Sequence, residues 1–239
     1  MKQRQLLIIL AAIVVIAAGA IYYFTTSGTE QPVLPEAASE TPAATPPAAT
    51  MAADPAPAPA PEVTSDLMVP GPLGDMALGD PKAPVAVIEY ASMTCSHCQR
   101  FHADVYKPFK EKYIDTGKVY FIFRDFPLDP LASAAIVVAH CAPKERFFPL
   151  VDLMFDHQDQ WAFVQDPATA LFNLVKQAGF TQESFNACLT NQPLLDGVNS
   201  VHDRAAQEFG VNSTPTFFVN GQKLTGEQTL DSLDKILGG

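Results

Sequence analysis

Basic side chains are scarce in this chain of 239 residues. Only 15 lysines and arginines stand against 26 aspartates and glutamates, which leaves a net charge of −11 at pH 7. Proteins that bind a phosphate backbone need a basic surface, so this balance argues against nucleic acid as a partner. Cysteine is scarce as well. Of the four cysteines, Cys95 and Cys98 share one short motif, and Cys141 and Cys188 lie far downstream.

Residues 25–66 contain no basic side chain and few large apolar ones. These 42 residues include nine prolines, eleven alanines and six acidic residues. Such a composition cannot bury enough apolar surface to order itself, and its proline content favours extended conformations. It predicts a disordered linker, which leaves residues 67–239 as one well-buried domain.

Residues 6–24 form a long apolar run. These nineteen residues are enough to cross a hydrocarbon core as a helix. Lys2 and Arg4 precede the run and favour an N-terminus inside the cell, with the rest of the chain exported. The Ala-Gly-Ala sequence at 18–20 offers a rival signal-peptidase site, so residues 1–24 are predicted to be a membrane anchor or a cleaved signal. Both alternatives place the cysteines outside the cytoplasm.

The sequence Cys95-Ser96-His97-Cys98 follows an apolar, β-branched segment typical of a strand buried on both faces. A Cys-x-x-Cys at a helix start puts both sulfurs on neighbouring turns, so dithiol and disulfide are both accessible. The helix N-terminus lowers the pKa of Cys95, and His97 adds a second donor or positive charge. Cys95 is therefore predicted to be the exposed attacking sulfur and Cys98 the buried resolving one, with Ser92 and Thr94 available as helix caps.

Glu89 lies within the apolar segment that precedes the cysteines. One interpretation is that its carboxylate points outward at the edge of the sheet. The other is a buried proton acceptor for Cys98, whose thiol has to lose its proton when the disulfide closes.

Thr214-Pro215 opens a second β-rich segment. Proline is where a cis peptide bond becomes accessible, and a cis bond beside the cysteines would leave the backbone of Thr214 free to pair with an extended substrate. A trans proline at a strand start is the alternative. Asn220-Gly221 then predicts a tight hairpin turn.

These residues together resemble the DsbA-type thiol:disulfide oxidoreductases, which have a thioredoxin fold. The resemblance covers about residues 76–237. It implies that Cys95 is the nucleophile, Cys98 the resolving thiol, Glu89 the buried acid and Pro215 a cis-proline at the substrate site. Ser96 departs from the best-known members, which have proline there, and this bears on the redox potential more than on the reaction.

The fold class is accordingly predicted to be α/β, a thioredoxin-like fold with a helical insertion between the second and third main strands. Lys118–Phe126 reads as a second buried strand, and residues of about 128–210 show helical patterns. Asp166-Pro167 has the cap-then-proline signature of a helix start. Strand character resumes at Thr216.

Cys141 and Cys188 both fall in the predicted insertion. Four cysteines allow three pairings, and once the spacing assigns Cys95 to Cys98, the remaining pair is Cys141–Cys188. A structural disulfide is the favoured reading, and two buried free thiols are the alternative.

The sequence thus predicts an exported enzyme that donates disulfides to unfolded or partly folded proteins with free thiols. It would act in a bacterial periplasm or cell-envelope space, tethered through residues 6–24. The resemblance implies reoxidation by a quinone-linked membrane oxidase, and no cofactor or metal is required. A disulfide isomerase or reductase using the same site is the alternative. A copper- or zinc-handling protein that binds through Cys95, His97, Cys98 and His102 is a weaker one.

Overall fold

The computed structural model describes residues 65–238. The predicted anchor or signal at residues 1–24 lies outside the described residues, and so does nearly all of the predicted linker at residues 25–66. Within residues 65–238, no helix is both long enough and apolar enough to cross a membrane.

A five-stranded mixed sheet forms the centre of the described domain. The strands lie in the order β1-β3-β2-β4-β5, with β2 and β3 parallel and every other neighbouring pair antiparallel. Strand bounds are β1 Met76–Leu78, β2 Val85–Ala91, β3 Val119–Asp125, β4 Thr216–Val219 and β5 Gln222–Thr225.

The central strands are buried on both faces because their side chains alternate between two apolar cores. Val87 and Phe121 are paired across β2 and β3 and belong to the larger core. Ile88 and Ile122, the next pair, belong to a smaller core on the other face. This alternation explains the nearly unbroken apolar runs in the sequence.

Helices cover the sheet, and most of them lie in the insertion between β3 and β4. This arrangement confirms the predicted α/β class and the place of the insertion. Helix bounds are α1 from 96 to 114, α2 Pro130–Cys141, α3 Phe147–Asp156, α4 Gln158–Trp161, α5 Pro167–Lys176, α6 Gln182–Leu189, α7 Gln192–Glu208 and α8 Leu230–Leu237.

Several insertion helices begin where cap residues precede proline. The Asp129 side chain accepts from the Ala132 N–H at the start of α2, and the Asp166 side chain accepts from the Thr169 N–H at the start of α5. Each aspartate satisfies one of the unpaired N–H groups of a helix start. The helix start predicted at Asp166-Pro167 is thereby confirmed.

Helix α1 departs from the simple α-helix that the sequence predicts. It starts as α-helix over Ser96–Arg100, and its later turns alternate between π-helix (Phe101–Tyr106 and Lys110–Ile114) and a short α-helical piece (Lys107–Phe109). Pro108 lies in that short piece. Proline has no N–H to donate and crowds the preceding turn, which accounts for an altered hydrogen-bond pattern around it.

The predicted side-chain caps of α1 are wrong. Cys95 itself is the N-cap residue and makes no side-chain capping bond. The Thr94 hydroxyl donates instead to the Asp129 carboxylate, and Ser92 Oγ accepts from the Leu128 N–H. Both hydroxyls are therefore used to fasten the segment before α2 to the active-site loop.

The segment before β1 is held against the domain by two arginines. Arg124, on β3, donates to the Asp75 carboxylate and to the Val69 carbonyl. Arg204, on α7, donates to the carbonyls of Val69 and Asp66. Chain entry into the domain is thus fixed by partly buried and exposed charged hydrogen bonds.

The turn between β4 and β5 has the predicted form. Asn220 has a φ of 46° and Gly221 a φ of 86°. Two successive residues with positive φ define the hairpin turn that an Asn-Gly sequence favours.

Candidate active site

Two free thiols lie at the start of α1, just after β2 ends. Cys95 is the N-cap residue of α1, and Cys98 lies within its first turn. Cys98 is fully buried, whereas Cys95 keeps 9% of its surface exposed. The prediction of an exposed Cys95 is therefore wrong, although Cys95 is less buried than Cys98. The sulfur is largely covered because it lies against the carbonyl of Thr214, 3.3 Å away.

Cys95 is the more acidic of the two thiols. The hydrogen bond from Cys98 lowers its pKa most; burial opposes this, and the Thr214 side chain and the backbone N–H groups of Cys98 and His97 lower it further, to about 5. The Thr214 hydroxyl is buried and has no hydrogen-bond partner within residues 65–238. It can donate a hydrogen bond to the Cys95 sulfur once that thiol is ionised, because a thiolate only accepts hydrogen bonds.

The two thiols have opposite acidities. Burial raises the pKa of Cys98 well above its ordinary value, and the hydrogen bond to Cys95 and the negative charge of Glu89 raise it further. A proton shared between the pair therefore resides on Cys98. This leaves Cys95 as the thiolate and Cys98 as its hydrogen-bond donor.

The imidazole of His97 does not play the predicted part. Its Nδ1 lies 3.2 Å from the Glu227 carboxylate and 2.6 Å from the guanidinium of Arg100, on the exposed side of α1. The side chain is 60% exposed. What His97 gives to Cys95 is its backbone N–H. The ring is drawn outward because a carboxylate on the loop before α8 offers it a partner.

Glu89 lies at the centre of the sheet, paired with Phe123 on β3 and Phe217 on β4. It is fully buried, which excludes a position at the sheet edge. One carboxylate oxygen lies 3.0 Å from Nε2 of His102, and the other has no hydrogen-bond partner within the described part of the chain. The negative charge of this buried carboxylate raises the pKa of Cys98, as expected of a proton acceptor for that thiol.

Thr214 and Pro215 are joined by a cis peptide bond. They lie directly against Cys95, as the contact between its sulfur and the Thr214 carbonyl shows. The structure therefore brings together the two sequence motifs, which are 119 residues apart. Their predicted contact with substrate stays a prediction.

Gln158, on α4, is a site residue that the sequence does not reveal. Its side-chain amide is buried and donates to the carbonyls of Met93 and Cys95, at 2.8 and 3.1 Å. The helical insertion thereby braces the loop that carries the nucleophile. A glutamine in a short polar segment gives no signal of this kind.

His102 is the second residue whose part the sequence leaves open. It stands four residues after Cys98, which places both on the same face of α1. That spacing could have indicated a buried neighbour of the thiol. As for a metal site, no group of three or more metal-ligating side chains occurs within residues 65–238.

Cys141 and Cys188 form a disulfide between the end of α2 and α6. The alternative of two free thiols does not describe this structure. The bridge lies within the insertion and joins neither active-site cysteine.

Comparison with known proteins agrees with this architecture. The thioredoxin family profile matches residues 73–238. The structure of alpha-DsbA1 from Wolbachia pipientis is 34% identical, covers 73% of this chain and 94% of its own, and superposes with a TM-score of 0.66. A protein-disulfide isomerase structure from Novosphingobium aromaticivorans is 25% identical, with coverages of 71% and 98% and a TM-score of 0.61. These matches confirm the predicted thioredoxin-like fold.

Among curated sequences, a Rickettsia conorii protein assigned as a protein-disulfide oxidoreductase is 34% identical over 164 residues. The match covers 66% of this chain and 57% of that protein. The chain thus spans little more than half the length of this curated relative.

Proposed function

This chain belongs to the DsbA-type proteins of the thioredoxin family, and on that premise we propose that it is an exported oxidase that introduces disulfides into other proteins. The observation that carries the proposal is the asymmetric dithiol at the start of α1. Cys95 is held as a thiolate, with a pKa of about 5, and Cys98 is held as a thiol. Stabilising the thiolate stabilises the reduced enzyme, which makes the disulfide a strong oxidant.

The reaction proceeds through two exchanges at Cys95. A substrate thiolate attacks Sγ of Cys95 in the oxidised enzyme, forms a mixed disulfide there and releases Cys98, which takes up a proton. A second substrate thiolate then attacks the substrate sulfur and releases Cys95 as a thiolate. The substrate loses two electrons and becomes a disulfide, and the enzyme gains them and becomes a dithiol.

Surrounding residues have distinct parts in this scheme. Glu89 is the proton acceptor and donor for Cys98, because its buried carboxylate acts on that thiol. Thr214 and Pro215 form the surface on which the substrate backbone rests, because the Thr214 carbonyl already lies beside Cys95. His97 orders the outer face of α1 through Glu227, and its backbone N–H supports the thiolate.

Substrates of this enzyme are unfolded or partly folded exported proteins with free thiols. Residues 6–24 support a position in the envelope space of a bacterium, held at the inner membrane by that segment. A quinone-linked membrane oxidase is the expected electron acceptor, since the dithiol enzyme has to be reoxidised after each cycle. Localisation is tested by fractionating cells and washing membranes at alkaline pH. An anchored chain stays with the membrane at full length, and a cleaved one is released and is shorter by about 20 residues.

The direction of electron flow is tested by equilibrating the full chain with a glutathione series and measuring the reduction potential of Cys95–Cys98. The Cys141–Cys188 pair is quantified separately by peptide mapping. We expect a potential near −120 mV, the range of a strong dithiol oxidase, and rapid oxidation of a dithiol peptide. A potential of about −270 mV would assign the site to a reductase. Faster repair of scrambled disulfides than oxidation of dithiols would favour an isomerase.

Variants at the two cysteines complete this test. Cys95→Ser is expected to abolish peptide oxidation. Cys98→Ser is expected to accumulate a mixed disulfide with the substrate at Cys95, because the resolving thiol is missing. Trapping at Cys98 in Cys95→Ser instead would contradict the assigned roles.

A further inference from the structure

Three polar side chains form a row from Glu89 in the core to the protein surface. Glu89, on β2, is fully buried, and its Oε2 lies 3.0 Å from Nε2 of His102, which is 2% exposed. On the other side of the ring, Nδ1 of His102 lies 3.7 Å from Oδ1 of Asp152 on α3. Asp152 is 36% exposed. The row therefore begins at a buried carboxylate whose negative charge raises the pKa of Cys98 and ends in solvent.

The buried imidazole of His102 is only partly hydrogen-bonded within the described residues. Its Nδ1 is buried and has no hydrogen-bond partner within the described residues. An unpaired buried polar atom is destabilising, and the His102 ring is otherwise enclosed by aromatic side chains, including a stacked Phe155 at 4.4 Å between ring centroids. The gap of 3.7 Å to Asp152 is longer than a hydrogen bond, which is about 3 Å, so a small approach of the carboxylate or one bridging water closes it.

Asp152 opens onto a cavity of about 500 Å³ between α1, α3 and β1. Tyr106, Lys110, Glu145 and Phe148 also line this cavity. It lies away from the Cys95 sulfur and the Thr214 carbonyl, which are not among its lining groups. A protein substrate bound at Cys95 would therefore leave this entrance open to water.

We propose that His102 and Asp152 carry the proton that Glu89 exchanges with Cys98 to and from the water of this cavity. The inference rests on the proposed function and deepens it. When substrate attack frees Cys98, a proton passes from water through Asp152, His102 and Glu89 to the Cys98 sulfur. When Cys98 attacks Cys95 during reoxidation, one proton leaves by the same route. Electrons move only among the sulfur atoms, so each half-reaction transfers a single proton along the row.

Charges around His102 favour this use. Burial lowers its pKa, but the charges of Glu89 and Asp152 and the hydrogen bond to Glu89 raise it more, to about 9. Tyr106 is a further titratable group that packs against the ring, 4.7 Å away between ring centroids, and burial raises the pKa of its phenol. His102 is thus a protonated link between two carboxylates at neutral pH. Removal of the Asp152 charge lowers the pKa of His102.

Neither His102 nor Asp152 contacts the reacting sulfurs, so both act through Glu89. The test is therefore the rate of the Cys98 step alone. Reduced full-length protein is mixed with 5,5′-dithiobis(2-nitrobenzoate), and release of thionitrobenzoate is followed by stopped flow from pH 5 to 9.5. The first, second-order release reports attack by Cys95. The second, first-order release reports attack of Cys98 on the mixed disulfide.

Asp152→Asn is compared with Asp156→Asn, which removes a carboxylate one turn further along α3 that pairs only with exposed Lys107 among the described residues. We expect Asp152→Asn to slow the second release roughly fivefold at pH 7, a small part of what positioned acid–base groups contribute. Its alkaline inflection should move to lower pH, and the first release should not change. Asp152→Glu should restore the rate.

Equal second-phase rates and equal pH profiles in the two asparagine variants would overturn the proposal. Slower release in Asp152→Asn with an unshifted pH profile and no rescue by glutamate would also overturn it, because such a result indicates a packing effect. Failure of the proposed function gives a different result: the unsubstituted protein would not oxidise a dithiol peptide, whatever the effect of Asp152.

Discussion

Cys95 owes its charge to a few short contacts and not to a basic environment. The largest contribution comes from the hydrogen bond donated by Cys98. The sequence predicted a lowered pKa from the helix N-terminus, and the direction agrees with the structure. It assigned part of the effect to the His97 ring, which Glu227 binds instead. Glu227 lies 130 residues from His97 in the chain, and no local pattern could have indicated that contact.

Cys98 should therefore control the acidity of Cys95. Cys98→Ala removes the donor and is expected to raise the pKa of Cys95 by about one to two units. Cys98→Ser keeps a hydroxyl donor at the same place and should raise it less. The measurement is the pH dependence of Cys95 alkylation by iodoacetamide, with the alkylated peptide identified by mass spectrometry. A Cys95 titration in Cys98→Ala identical to that of the unsubstituted protein would show that Cys98 does not lower this pKa.

The stability of the reduced protein should depend on pH in a defined direction. The folded-state pKa of Cys95 is lowered to about 5 from the unfolded value of about 8.5, so ionised Cys95 stabilises the fold. This contribution is complete above pH 8.5, amounts to about 3 kcal/mol at pH 7 and is lost as pH falls through 5.

Urea unfolding of reduced and oxidised protein at pH 4.5, 7 and 8.5 measures this effect. The difference in unfolding free energy between the two forms should shift in favour of the reduced form as pH rises. The oxidised protein is the control because its Cys95 does not titrate. A difference that stays constant across this range would contradict the lowered pKa.

At the scale of the elements, short polar helix α4 links the insertion to the active-site loop through Gln158. The cap-and-proline signals at Asp166 located the start of α5 in advance, because those signals are local. Neither α4 nor the π-helical turns of α1 were predicted. Their conformation depends on contacts made across the domain, in α4 between Gln158 and the carbonyls of Met93 and Cys95.

Gln158→Leu keeps the side-chain volume and removes the two hydrogen bonds. The Met93 carbonyl would be left without this buried donor, so we expect the unfolding free energy to fall by about 1–3 kcal/mol. Gln160→Leu, on the exposed side of the same helix, is the matched control and should have little effect. Chemical denaturation of the two variants measures this difference. Equal unfolding free energies would show that the two hydrogen bonds of Gln158 are dispensable.

At the scale of the whole molecule, the α/β order followed from the apolar strand segments and the helical patterns between 128 and 210. The thioredoxin-like sheet followed from the resemblance to the DsbA-type oxidoreductases. The route from Glu89 through His102 to Asp152 did not follow, because it joins β2, α1 and α3 only after the domain has packed. Buried polar networks of this kind are tertiary features.

The Cys141–Cys188 bridge should contribute to the stability of the insertion. It joins residues 47 positions apart, and closing such a loop restricts the unfolded chain by about 4 kcal/mol in the entropy treatment. Cys141→Ala/Cys188→Ala is expected to lower the unfolding free energy by up to this amount and to leave the alkylation profile of Cys95 unchanged. Denaturation and alkylation are measured on the same preparation. A shifted Cys95 profile would show that the bridge also acts on the active site.

The two arginines that hold the segment before β1 also have a mechanical consequence. Arg204 binds the carbonyls of Asp66 and Val69, and Arg124 binds Asp75 from the central sheet. Tension applied to the chain from its N-terminal side would load the Arg204 contacts first and the Arg124 contacts next, before it reached any strand. The catalytic dithiol would thus keep its geometry while the domain is pulled, because the load falls on the arginine contacts and not on the strands that position the cysteines.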